Sequence, residues 1–252
     1  MARLGPKQPS RAPLTVSRAL AAPVTALTCV VSTLLSLACL NARPQNFHDY
    51  KRWGFLPANA IFSGKYWALL SSTLLHADFL HLFFNVYWLW LLGGALEPLL
   101  GKLKHLKFAA LLIGSAFVCS ALELTVDGQT GIGLSGVVYA VFGFAWAMKK
   151  TQPKLATVID KTTIQWMVAW LFVCVALTIA KVWNIANAAH FAGIALGFAL
   201  GSAAAGTGTR RALATSGAAL LAVAAIVSLF WAPWSPAWRA FKADRSAQQT
   251  LL

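Results

Sequence analysis

The chain has 252 residues, of which 58% are hydrophobic and 11% charged, with a mean hydropathy of +0.65. Soluble domains carry about 25% charged and roughly 45–50% apolar residues, so this apolar excess does not fit inside one water-soluble core. That excludes a soluble enzyme, a disordered tail protein and a secreted disulfide scaffold, and makes the bilayer the expected solvent. A net charge of +14 arises from 21 Lys and Arg against 7 Asp and Glu. The basic residues fall in short breaks between long uncharged runs, so nucleic acid is not an expected partner.

In chain order, residues 1–18 form a basic, acid-free flank (Arg3, Lys7, Arg11, Arg18). It is read as a cytoplasmic anchor for the first span, although the same composition also fits a cleaved leader. The uncharged run Ala19–Ala42 predicts that first span. Residues 43–75 follow with seven aromatics (Phe47, Tyr50, Trp53, Phe55, Phe62, Tyr66, Trp67) and are expected to lie half-sunk in the lipid interface. Further spans are predicted at Phe79–Leu96, Phe108–Leu122, Gly128–Met148, Thr162–Ala180, Val182–Thr209 and Ala212–Trp238. Crossing about 30 Å of hydrocarbon at 1.5 Å per residue takes roughly 18 residues or more, so the third is short. The expected fold is therefore an all-α polytopic membrane protein with a core over 19–205, a seventh C-terminal transmembrane helix over 212–238 and a short polar tail, 239–252.

Seven spans with the N-terminus in the cytoplasm collect 13 basic residues inside against 8 outside, which favours that orientation. The four cysteines lie within or at the ends of spans without CxxC spacing and are read as apolar filler. Neither a metal nor a cofactor is expected.

Polar side chains within spans stand out, because hydrocarbon makes unpaired polar groups costly. His76, His81 and Asn85 open the second span. Gly131-Ile132-Gly133-Leu134-Ser135-Gly136, with Tyr139 beyond it, opens the fourth. Ala189-His190-Phe191-Ala192-Gly193 lies in the sixth. Each has a plain alternative: Ser135 as a back-bonded packing residue, His190 as a structural hydrogen-bonder, and His81 with Asn85 as interhelical glue. Alternating topology nevertheless puts all of them toward the outer half of the bilayer. His81 and Asn85 share a helix face four residues apart, as do Ser135 and Tyr139. Gly193, Gly197 and Gly201 form a small-residue stripe that lets the His190 helix approach another closely.

A hydroxyl needs an adjacent base at roughly 2.6–3.2 Å to become a nucleophile, and His190 is the natural one for Ser135. Tyr139 could pack its ring against His190. Asn85, His81 and the Ser135 backbone N–H are candidate oxyanion donors near a helix N-terminus. Glu123 and Asp127 fall in the loop before Ser135, with nothing to aim them at His190, so a dyad is expected.

At these residues the chain resembles the rhomboid intramembrane serine proteases. The resemblance covers the His76, His81, Asn85 run, the Gly133-Leu134-Ser135-Gly136 motif with Tyr139, and the His190 segment followed by Gly197. It also covers Gly93-Gly94-Ala95-Leu96-Glu97, and extends from about Trp67 to Gly201. It implies a six-helix core, here in a six-plus-one arrangement, and cleavage of transmembrane protein substrates in the bacterial plasma membrane. The site would lie in a wet cavity open to the outer face. Ser135 would be the nucleophile, His190 the base and then acid, His81 and Asn85 the oxyanion donors, and His76 a structural hydrogen-bonder. Gly133, Gly136 and Gly193 would support the site. The family's Trp-Arg pair in the first loop is here Trp67-Ala68, so another contact must brace that loop. Glu97 is expected to be structural. The competing readings are an inactive rhomboid-like binder of transmembrane clients, and a channel or transporter using the buried His and Asn residues.

Overall fold

The computed structural model describes residues 16–250, and among them all regular structure is helical. Residues 1–15, most of the basic flank, and the last two residues of the tail lie outside the described residues. A short α1 (Val16–Ala21) leads into α2 (Pro23–Asn41). The first loop holds a 3-10 turn (Phe47–Trp53), α3 (Ala58–Phe62) and α4 (Ala68–Leu74). Then come α5 (Phe79–Leu96), α6 (Lys104–Asp127), α7 (Ser135–Met148), α8 (Lys161–Ile179), α9 (Asn187–Ala205), α10 (Gly208–Phe230) and α11 (Pro236–Thr250).

Six of these helices, α2, α5, α6, α8, α9 and α10, are long and apolar enough to cross a membrane. The segment that falls short is α7, with 14 residues. At 1.5 Å per residue it spans about 21 Å, roughly 9 Å less than the hydrocarbon core. The uncharged run Gly128–Met148 was expected to be one span, but its first seven residues form a glycine-rich loop and Ser135 is the first helical residue. The third span shows the opposite departure. Charges at Lys104, Lys107 and Glu123 set its expected limits, yet α6 runs 24 residues through them because Glu123 is buried and hydrogen-bonded. The last span ends at Phe230, not Trp238, where Trp231 turns to an extended conformation ahead of Pro233. A separate helix, α11, begins at Pro236 within the expected span and takes in the expected polar tail as far as Thr250.

The helices are organised inside out, as lipid requires. On α2 the buried residues are Thr25, Cys29, Ser32, Ser36 and Cys39, a small and polar stripe at helical spacing. Leu27, Val30, Leu34 and Leu37 point outward. In lipid, helices associate through close contact and hydrogen bonds, because exposed leucine is already solvated. Glu97 shows the second device. It is fully buried at the end of α5 and accepts from Val24 N–H (3.1 Å), Thr25 N–H (2.8 Å) and the Thr25 hydroxyl (2.7 Å), capping α2. His105 Nδ1 lies 2.7 Å from its other side.

Helix α7 occupies the centre, with twelve of its 14 residues buried, and packs against α9 at backbone level. A Cβ at Gly193, Gly197 or Gly201 would run into the carbonyl oxygen of Gly136, Ala140 or Phe144 respectively. Glycine there replaces side-chain contact with backbone contact along almost the whole length of α7.

Part of the first loop's aromatic set packs inside the protein. Tyr50, Phe55 and Phe62 are buried within the protein, while Trp67 remains exposed. Tyr50 and Phe55 cluster with Cys39 and Leu75. Expecting all seven aromatics to serve the interface overlooked this internal cluster. Ala68, standing where an arginine was expected, is fully buried. The bracing comes from Ser71, whose hydroxyl donates to the Gly54 carbonyl at 2.6 Å, and from the C-terminal segment. Phe230 meets Tyr66 at 5.9 Å between ring centroids and Phe241 meets Phe62 at 5.6 Å.

Gly197→Val is therefore expected to abolish stable folding, because the new side chain meets backbone that cannot yield cheaply. Gly114→Ala, on the open side of α6 with nothing within 4 Å of the added carbon, should be neutral or stabilising by about 0.5–1 kcal/mol. Thermal unfolding of the purified variants in detergent measures both.

Candidate active site

Ser135 sits at the head of α7, half-buried, on a turn fixed by three contacts. Gly133 has φ +113°, a region costly for any residue with a Cβ, and its N–H donates to the Ser72 carbonyl at 3.3 Å. An added Cβ there would also strike the His81 ring. Leu134 N–H donates to His76 Nε2 at 3.4 Å, and its carbonyl accepts the first helical bond from Val138 at 2.8 Å. The first-turn N–H groups of α7 have no intrahelical acceptor, so their donors and the positive end of the helix dipole collect around the Ser135 hydroxyl.

His190, fourth residue of α9 and 3% exposed, brings Nε2 to 2.7 Å from Ser135 Oγ. The glycine contact between α7 and α9 permits that distance. Tyr139 backs the imidazole at 4.9 Å between centroids and is itself held by its hydroxyl, which donates to the Met167 carbonyl of α8 at 3.1 Å. His190 Nδ1 is buried and has no hydrogen-bond partner among the described residues. With the Ser135 hydroxyl donating to Nε2, the ring proton resides on Nδ1. No carboxylate among the described residues reaches that nitrogen, so the geometry is that of a pair of residues and not a triad.

His76 precedes α5 instead of belonging to it: Asp78 caps that helix, accepting from His81 N–H at 2.8 Å. His76 was expected to open the second span with His81; it lies just before the helix, and the two rings meet edge to face at 4.8 Å. His76 is fully buried and bridges three elements. Its Nδ1 lies 3.1 Å from Ser36 Oγ, the Ser36 and Ser32 hydroxyls donate to the Leu74 carbonyl at 3.2 and 2.8 Å, and Nε2 receives Leu134 N–H. One consistent proton arrangement satisfies this chain, with Nδ1–H donating to Ser36. Asn85, also buried, donates one amide hydrogen to the His81 carbonyl at 2.9 Å, and its amide carries a second hydrogen that this bond does not use.

Glu123 and Asp127 were both expected in the loop before Ser135; Asp127 is instead the last residue of α6, and Glu123 lies a turn inside it. Glu123 is 2% exposed, and its carboxylate accepts Ala189 N–H at 2.8 Å. It thus caps the first turn of α9 one residue before His190. Cys119, one turn earlier on the same face, touches Gly136 across the junction. A lone carboxylate in an otherwise apolar run was the available signal, because such a residue in a span must have a partner. Glu123→Gln keeps an acceptor for Ala189 N–H, whereas Glu123→Ala leaves that donor buried and unpaired at about 1–3 kcal/mol. Melting temperatures should rank wild type and Gln together above Ala; equal values for Ala and wild type would remove the cap from the account.

The comparison with protein families agrees with this geometry. The family model for the Rhomboid domain matches residues 63–206, more than half of the chain. That stretch runs from the end of α3 to the end of α9 and contains every catalytic candidate described above, so the chain belongs to the rhomboid family.

Proposed function

We propose that the protein is an intramembrane serine endopeptidase that hydrolyses peptide bonds in or near transmembrane segments of other membrane proteins, using Ser135 and His190 as a dyad. The observation that carries this reading is the 2.7 Å contact between Ser135 Oγ and His190 Nε2 within a buried, apolar frame. A serine hydroxyl and a neutral imidazole at that distance are poised for proton transfer.

In the proposed reaction Ser135 Oγ attacks the scissile carbonyl carbon while its proton passes to His190 Nε2. The tetrahedral oxyanion is met by the Ser135 N–H, the second Asn85 amide hydrogen and His81, supported by the N-terminus of α7. Collapse expels the amine, which takes the proton from His190 and leaves an acyl-enzyme on Ser135. Water, deprotonated by His190, then attacks the ester and releases the acid product, restoring the hydroxyl. His76 holds Leu134, and with it the turn that aims Ser135. Glu123 holds the helix end that aims His190. A small cavity beside Ser135, lined by Thr73, Cys119, Gly131, Gly136 and Ala189, suits a small side chain next to the cut bond. The excess of basic residues at the opposite ends of the spans supports a cytoplasmic N-terminus with Ser135 opening toward the outer side; the membrane is proposed to be a bacterial plasma membrane.

A fluorophosphonate should label wild-type protein in proteoliposomes at Ser135, and label and cleavage of a transmembrane reporter should both vanish in Ser135→Ala and His190→Ala. Absence of labelling in detergent and in liposomes alike would favour a client-binding protein without hydrolysis. Asn85→Ala should lower turnover by roughly 10²–10³ if its amide is the main oxyanion donor. A much smaller loss in the same cleavage assay moves that role to His81 and the backbone.

A further inference from the structure

Helix α11 lies outside the stretch matched by the family, and the proposed chemistry makes no use of it. It begins six residues after α10 ends, so it stays at the membrane surface on which that span emerges. This is the Ser135 end of the molecule. Ala237, Trp238 and Phe241 pack toward the first loop around Phe62, and Ala237 reaches the Gly128 turn that leads toward Ser135. One side of α11 is thereby covered by protein. Ser235, fully buried, receives Trp238 N–H at 3.4 Å, and Arg239 donates to the Pro233 carbonyl at 3.3 Å. These bonds fix the corner between the two helices.

The exposed part of α11 has segregated charge. Arg239, Lys242 and Arg245 are all exposed and recur every three residues, so at about 100° per residue they occupy an arc of roughly 120°. Asp244 falls about 160° from the middle of that arc. Two of the cations run their stems over aromatic rings: Lys242 Nζ lies 5.8 Å from the Trp238 centroid, and the Arg245 guanidinium 5.8 Å from Phe241. Charged heads on apolar stems laid along rings are the arrangement of side chains at a water–lipid boundary. Immediately before the helix, Trp231 and Trp234 are 58% and 54% exposed and meet edge to face at 5.8 Å. Exposed tryptophans at the end of a span mark the depth of the headgroups.

We propose that the Arg239–Lys242–Arg245 stripe of α11 is a binding surface for acidic phospholipid headgroups of the leaflet on the Ser135 side. A tryptophan pair sets the depth, three cations face the headgroup layer, and the adjoining flank of the same helix, through Phe241, is seated on the first loop. Neutral zwitterionic headgroups offer no net charge to this stripe, whereas acidic ones do. Acidic lipid therefore clamps α11 down and, through Phe241 on Phe62, steadies the first loop.

The four native cysteines are buried, so Ala243→Cys on the exposed side of α11 supplies a single accessible labelling site. The full chain carrying a donor fluorophore at that cysteine is placed in phosphatidylcholine nanodiscs doped with phosphatidylglycerol. Energy transfer to acceptor-labelled headgroups of either lipid is then measured. Transfer to phosphatidylglycerol should exceed random mixing by about fivefold, the enrichment expected of one cation near an acidic surface. It should decline as salt is raised and fall to the phosphatidylcholine value in R239Q/K242Q/R245Q. If that triple variant does not fold, K242Q alone should still reduce the transfer. Equal transfer to the two lipids overturns the proposal. A preference that survives the triple variant, which would assign it to other basic residues, also overturns it. Transfer between labels on two protein copies would assign the surface to self-association and overturn it as well.

Discussion

The contact on which the rest of the molecule depends is the backbone packing of α7 on α9. Between two ordinary helices in lipid, side chains hold the axes 8–10 Å apart, and a serine and a histidine on facing surfaces then meet only by chance of rotamer. Here Gly193, Gly197 and Gly201 set the carbonyls of Gly136, Ala140 and Phe144 against bare backbone, with Gly136 and Gly143 returning the arrangement from the other side. Ser135 and His190 therefore meet at the head of a contact that allows little sliding or rotation. Short side chains, Oγ on one helix and an imidazole on the other, close the remaining gap to 2.7 Å. Preorganisation of this kind is what a nucleophile and base require, because misplacement by an ångström is costly in rate.

Around that contact, buried polar groups tie helix ends to one another. Glu97 caps the head of α2 and Glu123 the head of α9 from other helices, while the exposed Asp78 and half-buried Asp160 are local N-caps of their own helices, α5 and α8. His76 does the same for a loop, joining the serines of α2 to the turn before Ser135. Lipid explains the pattern: a helix terminus leaves N–H groups unpaired, and at membrane depth only another part of the chain can satisfy them. Bonds such as those of Glu123 and His76 also fix the position of a reactive residue, so stability and alignment have the same source.

Much of this was legible in the sequence because hydrophobic length and the spacing of rare polar residues survive translation into structure well. Uncharged runs gave five of the six long helices to within a few residues at most ends, and the structure brings His190 against Ser135 and Tyr139, and His76 against His81. Charge was the misleading signal. Glu123 was treated as a loop residue and a span boundary, although a carboxylate that finds backbone donors can remain inside a helix. The unbroken apolar run before Ser135 concealed a loop for the converse reason: glycines at 128, 131 and 133 carry no charge, yet they stop a helix as effectively as a lysine would. Aromatics in the first loop were assigned to lipid by type, but Tyr50 and Phe55 found partners in Cys39 and Leu75 that lie far off in the sequence.

The shortness of α7 connects the fold to the proposed hydrolysis. A full-length span beginning at residue 128 would have put its N-terminal donors at the membrane surface, among competing waters. By starting at Ser135 the helix recesses its first turn by several ångströms, where each N–H dipole acts in a medium that screens it less. The recess cannot be filled with lipid, because the loop above it presents peptide groups that need polar partners. The glycines that end α6 and delay α7 thus bring a helix terminus, a hydroxyl and an imidazole together beneath a loop of peptide groups. The same loop closes over Gly133 and His76, so the recess is held at its rim by the residues that orient the nucleophile at its base.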